Sequence, residues 1–335
     1  MVVSIWTLRQ GNRAMQAARA FFDGRGYLEV RTRSLRGTTA TDAYIESFRT
    51  SCVGFTDPFY LQVSPEYAHK IFLASIHCEV PIYEVARVFR NEPSGRLHSP
   101  EFSLIEWYRP GVGYREMMDE TEALVRSVSA ELGVRQWHST ARFDDALPID
   151  VDSEFERLSV SEAFERYAGF SPLGLSHDAL YEAARASGCR VRSDWSDNDL
   201  LSCVLVECVE PHLGRERPTF LVDYPASMAS LAEVRPVGMV HGRECFVAER
   251  FELYICGIEL CNGYTELNRA EELRRRMQED NAERVRLGFE AVPLDEALLC
   301  ALPQLGRLGG NALGWERLLM LCLGAGHIDE VMIQV

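Results

Sequence analysis

No run of about 18 apolar residues occurs along the 335-residue chain, so a membrane-spanning helix is not expected. The opening segment, MVVSIWTLRQGNR, has no basic stretch leading into an apolar core; it makes a poor signal peptide and points to the cytoplasm. Positive charge is scarce: 35 Lys and Arg stand against 50 Asp and Glu, a net charge of −15. A protein that grips a nucleic-acid backbone normally presents a basic face, so tRNA or DNA is not the expected main partner. Ten cysteines include no C-x-x-C pair, and Cys256 and Cys261 have no histidine cluster near them in sequence. The expectation is reduced thiols packed as small hydrophobes rather than a zinc site. Also missing are G-x-x-x-x-G-K-[ST], a G-x-G-x-x-G after a strand, and a G-x-S-x-G elbow. There is no internal repeat and no long linker.

What is present reads as one α+β domain spanning residues 1–335, with strands towards both ends and a helical insertion over about 114–215. Leu8, Met15, Ala18 and Phe22 form the stripe of a helix over 8–24, followed by a strand over 27–32. Ser64-Pro65-Glu66 reads as a helix start, with Ser64 as N-cap and proline in the first position. Helices are expected over 114–132, 161–168, 177–187 and 197–210, the last capped by Ser196. Strands are expected over 219–225, 245–255 and 258–264, then helices over 269–287 and from about 315.

Three constellations carry chemistry. In FRNEPSGRLHSPEFSLIEWYRPG (89–111), two strands flank a loop. Strand parity puts Arg90 and Glu92 on one face, and Phe102, Leu104, Glu106 and Tyr108 on one face of the second strand. That much charge makes a poor dry core, because unpaired buried charges cost several kcal/mol each; on pattern alone, a solvated sheet face with surface ion pairs and a ligand-binding face explain it equally well. In ERFELYICGIELCNGYTELN (249–268), a two-residue turn at Cys256-Gly257 places Glu259 opposite Tyr254 and Glu252 diagonal to Glu259. Such a pair repels unless a cation lies between, and Mg²⁺ on nucleotide phosphates suits it; a solvated hairpin face is the alternative. In GGNALGWERLLMLCLG (309–324), glycines that could admit a flat ligand precede an arginine and an apolar helix, but taken alone the stretch reads first as a plain loop before a buried helix.

In this order, these stretches resemble the catalytic domain of class II lysyl-tRNA synthetases. FFDGRGYLEVRT resembles the dimer-forming motif 1 (about 12–35), FRNE…H.PEF…EWY resembles motif 2 (about 82–110), and GNALGWER resembles motif 3 (about 309–324). The likeness runs from about residue 10 to 330. Motif 1 begins almost at residue 1, where those synthetases carry an anticodon-reading module. SPEYAHK, PTFLVDYPASMASLAEV and VAERFELYICGIELCNGYTEL are similar to the stand-alone paralogues that lysylate elongation factor P.

The resemblance implies a homodimer through motif 1, ATP and Mg²⁺ as cofactors, and lysine or (R)-β-lysine moved to a lysine of elongation factor P, with no tRNA. It assigns Arg90 and Arg317 as catalytic. Nucleotide contacts fall on Arg90, Asn91, Glu92, His98, Ser99, Phe102, Glu259, Leu260, Gly314 and Arg317. Amino-acid contacts fall on Ser64, Pro65, Glu66, Glu106, Tyr108, Asn262, Glu266 and Ala312, with Glu266 and Tyr108 receiving the distal ammonium. Metal ligands fall on Glu252 and Glu259. Alanine at 312, where the tRNA enzymes usually have glycine, favours a β-amino acid. The chain departs from the family pattern at Arg33, Ile71, Ser99 and Glu316. The alternatives are a different acceptor, or an inactive regulatory paralogue.

Overall fold

The computed structural model describes residues 3–138 and 148–333. Residues 139–147, part of the expected helical insertion, lie outside the described residues. Nine strands form the main sheet: β1 (Leu28–Glu29), β2 (Ile82–Phe89), β3 (Glu101–Pro110), β4 (Glu156–Ser159), β5 (Thr219–Pro225), β6 (Val234–Val240), β7 (Arg243–Ile255), β8 (Ile258–Thr265) and β9 (Leu308–Gly314). Their order is β1-β2-β3-β9-β8-β7-β5-β4, with β6 on β7. The end pairs β1–β2 and β4–β5 are parallel, and every pairing between β2 and β5 is antiparallel. The architecture is α+β, as expected.

Alternation along β3 gives the sheet two different faces. Ile105 and Trp107 enter the main apolar core with Leu253, Ile255 and Leu313. That core is closed by α1 (Ile5–Asp23), α3 (Tyr114–Glu131) and α9 (Trp315–Leu323), whose Phe22, Leu124 and Leu318 are fully buried. Phe102, Leu104, Glu106 and Tyr108 face the other way, towards a cavity partly walled by α2 (Glu66–Ser75) and α7 (Ala270–Arg286).

The insertion builds its own apolar cluster from α4 (Val160–Ala168), α5 (His177–Ala186) and α6 (Asp197–Val204) against β5 and β7. Ser196 caps α6 as expected, accepting from Asp199 N. The helix expected to reach 210 changes at Leu205 into a π-helical turn. Cys189, Cys203 and Glu207 come within 4.8 Å of one another there, at the edge of that cluster. A short helix, α8 (Glu296–Ala301), had no counterpart in the sequence reading.

Three local expectations are corrected. The helix at 66 is capped by Pro65, with no side-chain cap, so Ser64 is not the N-cap. Only Leu28–Glu29 of the strand expected over 27–32 pairs as one. GGNALG is a central strand, β9, rather than a loop. The glycines are required there by neighbouring side chains: a Cβ at Gly309 would press on Met117, and one at Gly310 would collide with Glu266 and the Tyr108 ring.

Candidate active site

The cavity has a volume of about 840 Å³, and β3 supplies its floor. Strand β2 ends at Phe89, so Arg90 and Glu92 lie just beyond it, although Arg90 N still donates to Pro100 O at 2.9 Å. Both side chains line the cavity. The Arg90 guanidinium carbon is 5.1 Å from the Phe102 ring centroid, and its buried Nε has no hydrogen-bond partner. Burial pushes this guanidinium's pKa down, while Glu92 and Glu259 pull it back up. A buried donor left open beside an aromatic floor suits an anion arriving from solution.

Arg317, at the start of α9, is fixed by four contacts. Its Nη1 donates to Glu259 O at 2.9 Å and Oε2 at 3.3 Å, its Nη2 to His98 Nε2 at 3.1 Å, and its Nε to Leu97 O at 3.3 Å. His98 must therefore accept through Nε2 in its neutral form, and burial together with Arg317 holds its pKa below the usual range. Ser99 and Gly314 also line this end. A Cβ at Gly314 would meet only Arg317 and Leu260 O, at 3.5 and 3.7 Å, so the protein itself leaves room for a methyl.

The β7–β8 hairpin turns at Cys256 and Gly257, both at positive φ, as two-residue hairpins demand. Tyr254 faces Glu259, but Leu253 faces Cys261, so Leu260 is an extra, bulged residue. The bulge turns Asn262 and Tyr264 to the same face as Glu259, which strict alternation forbids. Glu252 shares that face but does not line the cavity. Arg250 Nη2 donates to its Oε1 at 2.6 Å and Tyr254 OH to its Oε2 at 2.8 Å. Glu259 is the open carboxylate, its side chain 41% exposed. Desolvation by the surrounding cavity walls raises its pKa, Glu252 raises it further, and Arg317 opposes. A divalent cation therefore fits at Glu259; Glu252 would have to yield Arg250 or Tyr254 to act as a direct ligand.

Carboxylates crowd the other end of the cavity. Glu66, Glu106 and Glu266 all line it, with Ser64, Tyr108, Asn262 and Ala312. Tyr108 OH donates to Glu106 Oε1 at 2.8 Å rather than to Glu266, leaving the buried Glu106 Oε2 without a partner. His69 stands behind, its Nε2 2.8 Å from Glu84 Oε2 and its Nδ1 3.6 Å from Glu106 Oε1, an ion-pair distance rather than a hydrogen bond. Lys70 Nζ lies 2.6 Å from both Glu66 Oε1 and Glu266 Oε2. Burial alone would lower the Lys70 pKa, but the two carboxylates more than reverse this, and its ammonium stays protonated.

The structure thus gathers most of the expected residues around one cavity, Leu260 included. Asn91 and Pro65 do not line it: Asn91 is exposed past the strand end, and Pro65 is spent on the helix start. Four contributors went unread. Arg250 was assigned no role, yet it is held by Asn262 Oδ1, Glu252 and Met228 O and lies 4.3 Å from the Tyr224 ring centroid. The 226–231 turn supplies wall residues from a stretch whose likeness was noted without any site residue being assigned. Lys70 and His69 sit one helical turn beyond Glu66, in a motif read only for its first three residues. Two departures acquire roles: Glu316 Oε2 accepts from Ser103 N at 2.9 Å, tying α9 to β3, and Ile71 packs against the cluster around Leu73.

Comparison with known proteins agrees with this geometry. The family model for class II (D, K and N) tRNA synthetases matches residues 4–333. The chain is 38% identical to the elongation factor P–(R)-β-lysine ligase of Proteus mirabilis, over 98% of this chain and 94% of that protein. It is 39% identical to the protein of that name from Photorhabdus laumondii, over 94% and 90%, and 37% identical to that from Haemophilus ducreyi, over 98% and 93%.

Proposed function

The chain belongs to the class II (D, K and N) tRNA synthetase family, and on that basis we propose that it is an ATP-dependent ligase that activates lysine or (R)-β-lysine and transfers it to a lysine side chain of elongation factor P. The observation that carries this reading is a single cavity with an unpaired, buried arginine donor at one end and three carboxylates at the other.

The chemistry has two steps. The amino-acid carboxylate attacks the α-phosphorus of ATP, giving an aminoacyl adenylate and pyrophosphate; a protein amine then attacks the acyl carbon and AMP leaves. No enzyme nucleophile is needed, so positioning and charge stabilisation carry the rate. Arg90 bridges the attacking carboxylate and the α-phosphate through its open donor edge. Phe102 supplies one face for the adenine and Arg317 the other, while Glu92 accepts from the adenine amino group. His98 and Ser99 lie towards the terminal phosphates. Mg²⁺ held by Glu259, with the field of Glu252 behind it, supplies charge neutralisation on the phosphates when bound.

Charge supports a diamino acid. Lys70 cancels one charge of the Glu66–Glu266 pair, and burial raises the carboxyl of Glu266 to about 8 and raises that of Glu106, so each of the two substrate ammonium groups would favour the ionised form of one carboxylate. The Ala312 methyl narrows the floor beside Glu106, its partner in the sheet, and such steric differences are worth ~1–3 kcal/mol between α- and β-amino acids. A homodimer through α1 and β1 is supported by exposed apolar side chains there: Ile5, Trp6 and Leu28. The test is transfer. Purified elongation factor P incubated with the protein, ATP, Mg²⁺ and (R)-β-lysine should gain the mass of one lysyl group; no gain would reject this acceptor.

A further inference from the structure

The 35 basic residues of the chain include one lysine, Lys70; the other 34 are arginines. An aminoacyl adenylate acylates any neutral primary amine it meets, and a lysine ε-amine is the side chain it is made to find. The guanidinium of arginine stays protonated and does not compete. Lys70 stands behind Glu66 and Glu266, which line the amino-acid end of the cavity; its side chain is 1% exposed and held at 2.6 Å by each of these carboxylates. As an ammonium it has no lone pair to attack with.

We propose that the side chains of this protein are immune to its own acyl adenylate, because its single ε-amine is locked as a buried, doubly paired ammonium and its 34 other basic residues are arginines. The step avoided is explicit. An amine nitrogen would bond to the acyl carbon, the bond from that carbon to the adenylate oxygen would break, AMP would leave, and the amine would release a proton. Of the arginines that line the cavity, Arg275 of α7 is the exposed one and the first that an escaping adenylate would meet. Arg275 is more than half exposed and bonded to Glu272 and Glu279, a pairing that lysine could reproduce without introducing a new fold requirement. The immunity therefore confines transfer to an external acceptor.

The inference rests on the activation chemistry proposed above, and its test separates the two. Wild type, Arg275→Lys and a control across the sheet from the cavity, Arg157→Lys on β4, where the side chain pairs with Asp119 of α3, are each incubated with ATP, Mg²⁺ and (R)-β-lysine without acceptor. Pyrophosphate release is measured alongside peptide mapping of side-chain amides. Pyrophosphate release with no amide on wild type, an amide at position 275 in the first variant, and about tenfold less at position 157 in the second is the expected pattern. Absence of pyrophosphate release would overturn the activation chemistry and this inference with it. Release accompanied by acylation of Lys70, or by no acylation at position 275, would overturn this inference alone.

Discussion

The lone ammonium at Lys70 and the open donor of Arg90 set the terms at the residue scale. Lys70→Met would leave Glu66 and Glu266 buried against each other without a cation. The expected cost is about 3–5 kcal/mol of stability, read as a lowered denaturation midpoint. Arg90→Lys keeps the charge but loses the planar, bidentate donor set. Amino-acid-dependent ATP–pyrophosphate exchange should fall by about 10²–10³, with thermal stability little changed; an unchanged rate would remove Arg90 from the reaction. Asp280, on the cavity wall in α7, offers a pH test. Burial lifts its carboxyl to about 6, Asp42 and Glu279 add to this, and the Thr41 hydroxyl opposes it from 2.9 Å. A carboxyl raised on folding binds its proton more tightly in the native state. Its contribution is therefore fully present below the unfolded value near 4 and is lost as pH rises through about 6. Asp280→Asn should remove that loss and make the protein about 1–2 kcal/mol more stable than wild type at pH 7, with little difference at pH 4.

Elements position these residues, and here the sequence was legible unevenly. Strands and helices with a clear apolar period stood out: β5 matches its expected span, and α3 and α7 lie within one residue of theirs at each end. Alternation along β3 correctly put Phe102, Leu104, Glu106 and Tyr108 on one face, because a sheet with one buried and one ligand-facing side keeps the period of two. Features set by tertiary crowding were not legible. β9 looked like a loop because glycine has low strand preference, yet only glycine leaves space for Glu266 and Tyr108 at position 310. Gly310→Ala should abolish amino-acid saturation in the exchange assay while nucleotide binding persists, since the methyl occupies the Glu266 position. Equal loss of both would point to a broken sheet instead. The bulge at Leu260 was equally hidden, because no local residue type announces it, and it decides whether Asn262 faces the cavity. Glu252 was expected as a direct metal ligand because nothing in the sequence announces its pairing with Arg250, two residues before it on the same strand face.

The whole molecule places one cavity between a two-faced sheet, a helical insertion and α7, and no helix among the described residues is long and apolar enough to cross a membrane. The insertion does more than brace the sheet, since Ser196, Asn198 and Ser202 reach the cavity wall. The exposed Ile5, Trp6 and Leu28 predict a dimer in solution. Trp6→Glu combined with Leu28→Glu should shift the mass measured by light scattering from dimer to monomer, and a wild-type monomer would contradict the assignment of that face. The account as a whole rests on a nucleotide being cleaved beside a pocket built for two ammonium groups. The most direct measurement is ATP–pyrophosphate exchange across an amino-acid panel that includes lysine, (R)-β-lysine and norleucine, which keeps the chain length but lacks the distal amine. Exchange with lysine or (R)-β-lysine and none with norleucine is predicted; exchange with no amino acid, or equal exchange with norleucine, would contradict it.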